Sequence, residues 1–243
     1  MKNFILAIFC IVLFSVQSHK TSAQFVQEKA IDSTRIEFED QQMVIKVLDA
    51  ITSQLTSADV VIKGLNPRKP VVLKSVSDTT LILKSYRLYT VSVVKPGYMY
   101  FAHKFWPEEK QVHEEKVKLQ PLSIGLKTDI EDITFLGDET EIYFKSIPAL
   151  EELVSFLQVN PSVKIKIIGH ANGPNSVKRG ESFYKKASEK RAESVRDYLI
   201  EHGIEPGRLV TAGAGNNEMR FPDPKTDWET QANRRIEIEI IGL

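Results

Sequence analysis

VKIKIIGHANG (Val163–Gly173) and, after a polar interval, ASEKRAESVRDYL (Ala187–Leu199) decide how this chain folds. The first is an apolar run of strand length that ends at Gly169-His170, with a turn signal at Asn172-Gly173. The second carries Ala187, Ala192, Val195 and Leu199 at helical spacing and closes at Gly203. A strand, a turn and a basic helix are predicted to meet at one end of a sheet.

Working outward from it, strand and helix signals alternate from Asp129 to the end of the sequence. Ile133–Leu136 reads as a strand. Ser146 is placed to cap a helix with Pro148 in its first turn, Glu151 and Glu152 near its positive end, and Ile147, Leu150, Val154 and Leu157 on one face. Asn160-Pro161 stops it. The second helix is expected from about Phe183 to His202, a third strand over Arg208–Ala212, and a long polar loop over Asn216–Gln231. Ile236, Ile238 and Ile240 alternate with Glu237 and Glu239, the pattern of a half-buried strand. The order is β-α-β-α-β-β, a mixed sheet with helices on one face, so the class is α+β.

Before residue 120 the period changes to two. Arg35–Phe38, Met43–Asp49, Val60–Lys63, Val71–Lys74, Thr80–Lys84, Tyr89–Val94, Met99–His103 and Lys116–Leu119 are candidate strands, separated by turn signals such as Asn66-Pro67 and Pro96-Gly97. Short strands at near-regular spacing predict an antiparallel β-sandwich over residues 34–119. They are too short for a transmembrane barrel. QPLSIGLKT (Gln120–Thr128) has no clear period and is expected to link the sandwich to a second domain over residues 129–243.

Lys2 followed by the apolar run Phe4–Val16 and the small residues Thr21-Ser22-Ala23 predicts a cleavable signal peptide over residues 1–23. Cys10, the one cysteine, lies inside that run, so the exported chain would have no disulfide, and the lipoprotein cleavage cysteine is missing. No other run is long enough to cross a membrane as a helix. Lys+Arg and Asp+Glu both number 32, a balance that gives no sign of a nucleic-acid partner. A periplasmic or secreted protein associated with the cell envelope fits best.

Four stretches together resemble the OmpA C-terminal-like domain of OmpA, Pal and MotB proteins: NPSVKIKIIGHANG (Asn160–Gly173), ASEKRAESVRDYLIEHGI (Ala187–Ile204), RLVTAGAGN (Arg208–Asn216) and NRRIEIEI (Asn233–Ile240). The resemblance implies non-covalent binding of peptidoglycan through the diaminopimelate of its stem peptide, with no catalysis and no cofactor. MVIKVLDAITSQLTSADVVIKG (Met43–Gly64) with YTVSVVKPGYMY (Tyr89–Tyr100) resembles the carboxypeptidase-regulatory-like sandwich of Bacteroidetes surface proteins, which implies a spacer or interaction module.

A diaminopimelate end offers an ammonium beside a carboxylate. Its site wants an anion for the first and a guanidinium fork for the second. In the motif G-H-T-D-x-x-G the Asp is that anion, and the Arg of S-x-x-R-A is the fork. Here Gly169, His170, Ser188, Arg191 and Ala192 stand as in the motif, while the Thr position is Ala171, the Asp position is Asn172 and the helix Asn position is Tyr184. The expected peptidoglycan-binding residues are therefore Ala171, Asn172, Gly173, Tyr184, Ser188, Arg191, Asn233 and Arg234, with one arginine of the Arg234-Arg235 pair bracing a loop and the other exposed. Hydrogen bonds to charged groups are worth about 1.5–3 kcal/mol, so losing the anion weakens binding by about ten- to a hundredfold.

Charge is polarised. Lys178, Arg179, Lys185, Lys186, Lys190 and Arg191 crowd one interval, and the acids of Asp129–Glu152 another. These read as solvated faces, or as a cationic lip for an anionic glycan or an acidic protein. The dense aromatics Tyr86, Tyr89, Tyr98, Tyr100, Phe101, Phe105 and Trp106 read as core and rim of the sandwich, with a binding face as the alternative; Trp228 reads as a packing anchor. His103, His113 and His202 lack metal-ligand spacing. No G-x-S-x-G elbow or paired-carboxylate motif is present, so no enzyme is read. The function expected is peptidoglycan binding. The alternative is an OmpA-like domain turned to binding other envelope proteins.

Overall fold

The computed structural model describes residues 40–64, 69–85, 87–107, 112–130, 133–136, 140–172 and 180–243. The signal-peptide segment, the Arg35–Phe38 strand, the Asn66-Pro67 turn, Tyr86, Gly173, Lys178 and Arg179 lie outside the described residues.

Seven strands build the first half: β1 (Asp40–Asp49), β2 (Ala58–Gly64), β3 (Val71–Val76), β4 (Asp78–Lys84), β5 (Tyr89–Val93), β6 (Phe101–Phe105) and β7 (His113–Leu119). They form two sheets, ordered β4-β1-β7 and β3-β2-β5-β6. Period-two alternation drives this arrangement. Met43, Ile45 and Val47 of β1, Val60 and Ile62 of β2, Val91 and Val93 of β5, and Val117 and Leu119 of β7 share one buried core, and in β1 and β7 the residues between them are more exposed. One pair departs from the antiparallel expectation: β1 and β7 run parallel, from Met43 opposite His113 to Asp49 opposite Leu119. Strands at opposite ends of the sandwich sequence have no tight turn between them to dictate direction.

The second half contains β8 (Lys127–Ile130), α1 (Ile147–Val159), β9 (Lys164–His170), α2 (Glu181–Glu201), β10 (Leu209–Gly215), α3 (Asp227–Asn233) and β11 (Ile236–Gly242). The sheet order is β10-β9-β11-β8, with β9 and β10 parallel and β11 antiparallel to both its neighbours. Leu150, Leu153, Phe156 and Leu157 of α1 and Ala192, Val195 and Leu199 of α2 bury against Ile165, Ile167, Ile236, Ile238 and Ile240 of the sheet. The first strand lies earlier than predicted. Lys127–Ile130 pairs with β11, whereas Phe135 makes only an isolated bridge to Ile142. The long polar loop also gives way to α3, started by a capping box. Glu229 N–H donates to Thr226 Oγ1 (3.2 Å), and Thr226 N–H donates to Glu229 Oε2 (2.9 Å).

Helix ends show how local sequence stops each element. Gly203 (φ +85°) ends α2 in a Schellman pattern: its N–H donates to Ile200 O and that of Ile204 donates to Leu199 O. Ser146 does not cap α1. Its Oγ instead accepts from Thr134 N–H at 2.9 Å and ties the residues before the helix together. Arg208 ties the end of α1 to the start of β9: its guanidinium donates to Leu157 O in the last turn, to Asn160 O at the C-cap and to Val163 O just before β9, at 2.8–2.9 Å.

The expected linker is ordered and packed. Lys127 and Thr128 belong to β8. Leu122 N–H donates to Gly97 O, Met99 N–H to Gln120 O, and Gly125 N–H to Ile240 O. Met99 is buried in the core of the second half, and Tyr100 lies 5.7 Å from Phe156. Gly97 N–H donates to Asn160 Oδ1 at 2.7 Å, and Lys63 pairs with Glu152 at 3.7 Å. Residues 39–243 thus form one unit.

Candidate functional site

The four motif stretches meet at the carboxyl end of β9. Gly169 lies so close under α2 that a Cβ there would stand 1.9 Å from Ser188 O, and one on Gly213 would stand 2.4 Å from Lys185 O. Glycines at both positions let the helix backbone rest directly on the strands. Two hydrogen bonds then stitch helix, β10 and β9 together. Gly215 N–H donates to Ser188 Oγ (2.9 Å), and Ala171 N–H donates to Gly215 O (2.8 Å). On the other side of β9, His170 N–H donates to Arg235 O at 2.9 Å.

These contacts divide the expected ligand residues by role. Ser188 is fully buried; its hydroxyl accepts from Gly215 N–H, which pins α2 to the sheet, and its one proton goes to Lys185 O within the helix. Asn233 is equally buried. Its carboxamide accepts from Phe221 N–H (2.9 Å) and donates to Phe221 O (2.8 Å), clamping the loop before α3. Ala171 is buried and contributes its backbone. Arg235 is the bracing arginine: it pairs with Asp129 (3.3 Å) and donates to Glu218 O, and Arg220 joins the same carboxylate. Arg234 is half-buried rather than exposed, and its Nε finds no acceptor among the described residues.

Asn172, Arg191 and Tyr184 remain. Arg191 follows Ser188 by one helical turn and is 6% exposed, so it does not stand in an open site; its guanidinium lies over the Phe135 ring at 5.3 Å. Tyr184 precedes Ser188 by one turn, on the same helix face, and is buried with Phe183 edge-on at 5.5 Å. Asn172 is 6% exposed, and neither Oδ1 nor Nδ2 has a hydrogen-bond partner among the described residues. His170, two residues earlier, is 2% exposed with both ring nitrogens likewise unpartnered. Burial first, and the nearby Arg235 second, push its pKa down, so the ring is neutral. Buried polar atoms without partners are rare, and among the described residues His170 and Asn172 carry four of them.

Residues 134–235 match the model of the OmpA family. This part of the chain is an OmpA-like domain. Curated relatives align over a similar share of the chain. Outer membrane porin F of Pseudomonas aeruginosa is 30% identical over 110 residues, which is 45% of this chain and 30% of that protein. Photosystem I P700 chlorophyll a apoprotein A2 of Gloeobacter violaceus is 34% identical over 116 residues, 45% of this chain and 13% of that protein. The chain thus spans less than a third of the length of either relative. Among solved structures, the periplasmic domain of Helicobacter pylori MotB is 22% identical, covering 50% of this chain and 76% of that one at a TM-score of 0.42. The peptidoglycan-associated lipoprotein of Burkholderia pseudomallei is 18% identical, covering 46% and 88% at a TM-score of 0.38.

Outside the OmpA-like domain, two histidines that lack metal-ligand spacing in the sequence come together on one carboxylate. His103 Nδ1 lies 2.9 Å from Glu115 Oε1, and His113 Nε2 lies 3.5 Å from Glu115 Oε2, beside a stack of His113 on Phe105 (4.8 Å). His202 instead stacks on Tyr198 at 3.9 Å. The sandwich aromatics are chiefly structural: Tyr89 stacks on Phe105, Tyr98 hydroxyl donates to Asp49, and Trp106 alone of the named set stays 60% exposed. Trp228 is no packing anchor. It is 68% exposed and meets Phe221 edge-on at 5.1 Å. Among the described residues no helix is long and apolar enough to cross a membrane.

Proposed function

We propose that the OmpA-like domain is a non-catalytic binding module for the stem peptide of peptidoglycan, holding the protein to the cell wall on the periplasmic side of the outer membrane. The reading is carried by one observation. The two residues that stand at the charge-reading positions of the motif, Asn172 after β9 and Arg191 on α2, are both buried, and the Asn172 carboxamide has no partner among the described residues. A guanidinium in such a place suits a ligand carboxylate, which it can take by two parallel hydrogen bonds. Asn172 offers hydrogen bonds without charge. Ser188, Asn233 and Arg235 hold this end of the sheet in shape. The test is retention of the purified chain on sacculi, with Arg191→Ala as the variant. Retention that falls at least tenfold in the variant supports the proposal; equal retention, or none by the wild type, overturns it.

The missing anion at Asn172 favours a second reading, in which the domain binds another envelope protein. On that reading Asn172→Asp creates sacculus retention that the wild type lacks.

A further inference from the structure

Trp228 stands in solvent on a short, well-braced helix. It is 68% exposed, so its indole adds little to either core. The seven-residue helix that carries it is nonetheless fixed at both ends. The capping box of Thr226 and Glu229 starts α3, and Glu229 Oε2 also accepts from Lys225 N–H. At the other end the buried Asn233 holds both backbone groups of Phe221, and the Phe221 ring meets the indole edge-on at 5.1 Å. An aromatic face is thus held out in water on a frame that needs no ligand to form it. α3 leads straight into β11, where Ile236 pairs with Gly169 and Arg235 O accepts from His170 N–H. Trp228 therefore rides on the element that enters the sheet at the carboxyl end of β9, the end at which Asn172 lies.

The chain around the indole narrows what can cover it. Asp223, Asp227 and Glu229 stand against Lys225 alone, so the segment is acidic, whereas the anionic surface of a bilayer attracts basic segments. A stable protein interface buries about 800 Å² on each partner. One aromatic side chain supplies about 150–250 Å², and Asp227 and Lys225 beside it are exposed and charged. A neutral pyranose ring fits both limits. The C–H bonds of one ring face, slightly positive, lie on the negative π-face of an indole, and the hydroxyls at the ring edge reach charged groups at the rim. We infer, on the basis of the proposed function, that Trp228 is a stacking platform for one N-acetylhexosamine ring of the glycan strand that carries the stem peptide. The domain then holds the wall by sugar and peptide together, and two weak contacts on one polymer reinforce each other through effective concentration.

The experiment uses the purified full chain carrying Trp106→Phe, which leaves Trp228 as the only tryptophan. Chitohexaose, neutral and free of peptide, is titrated against Trp228 emission, and broadening of its acetyl proton signals measures binding to Trp228→Ala and Trp228→Tyr. A saturable emission shift is expected. Trp228→Ala is expected to weaken chitohexaose binding about three- to tenfold, the worth of one stacked ring, and Trp228→Tyr to keep most of it. Sacculus retention is expected to fall in Trp228→Ala by a similar factor while its urea midpoint stays that of the parent. No response to chitohexaose, or equal binding by Trp228→Ala, overturns the inference and leaves stem-peptide binding to its own Arg191→Ala test. An emission shift with phosphatidylglycerol vesicles and none with chitohexaose overturns it in favour of a membrane surface. Chitohexaose binding that needs Trp228, with sacculus retention unmoved by Trp228→Ala, overturns the wall glycan as the ligand. Chitohexaose binding with no sacculus retention by the parent chain overturns the proposed function and the wall glycan with it.

Discussion

Gly169 has no room for a side chain, because the carbonyl of Ser188 lies where a Cβ would point. Gly169→Ala must lift α2 off the sheet, and a loss of about 3 kcal/mol is expected. Urea denaturation measures it; a loss below about 1 kcal/mol would show that the helix does not rest there. Ser188→Ala strands Gly215 N–H inside the protein and is expected to cost about 1–3 kcal/mol in the same assay. His170 makes a pH prediction. Burial lowers its folded pKa, so on acidification the unfolded chain takes up the proton first, near the ordinary value of about 6.5. Between that value and the lowered one, the unfolded state holds more protons. Stability therefore falls as pH drops through this window, and His170→Leu should flatten the decline. Equal slopes for wild type and variant between about pH 7 and 5 would refute the assignment.

Among the elements, α1 depends on a residue distant in sequence. Arg208 serves two carbonyls at its carboxyl end, those of Leu157 and Asn160, and a third, Val163 O, just before β9. Arg208→Met keeps most of the aliphatic stem but leaves those carbonyls unserved. It is expected to lower stability by about 2–3 kcal/mol, read by denaturation, with amide exchange quickening over the last turn of α1. Part of this scale was legible beforehand. The strands of the three sheets, β8 excepted, follow from period-two and apolar patterns, and the end of α2 from its Gly203 stop. The capping box at Thr226 and Glu229 is present in the sequence too, but the proline and charge around it predict loop throughout Asn216–Gln231. Ser146 shows the opposite limit. A residue type that caps helices was drawn into a tertiary hydrogen bond with Thr134 instead.

The molecule as a whole behaves as one body across the expected linker. Met99, from the sandwich half, is buried among side chains of α1 and the second sheet, and Gly97 is held by Asn160. Unfolding is therefore expected in one transition. Variants keeping only Trp106, in the sandwich, or only Trp228, in the OmpA-like domain, should report the same urea midpoint. Two separated midpoints would show independent domains. Met99→Ala is expected to cost about 2–5 kcal/mol and to shift both midpoints together.

Periodicity, glycine and proline punctuation and the four motif stretches determined the class, the order of elements and the family resemblance, because these depend on local backbone preference and on which face of an element is apolar. They also named the residues at the charge-reading positions. Their roles were decided by tertiary packing. Ser188 and Asn233 spend their hydrogen bonds within the fold, while Asn172, alike in polarity, is buried with none among the described residues. The parallel pairing of β1 with β7, the shared core around Met99 and the meeting of His103 and His113 on Glu115 likewise join residues far apart in the chain. Sequence spacing carries no record of such neighbours, since they are chosen by how separate faces fit once each element has formed.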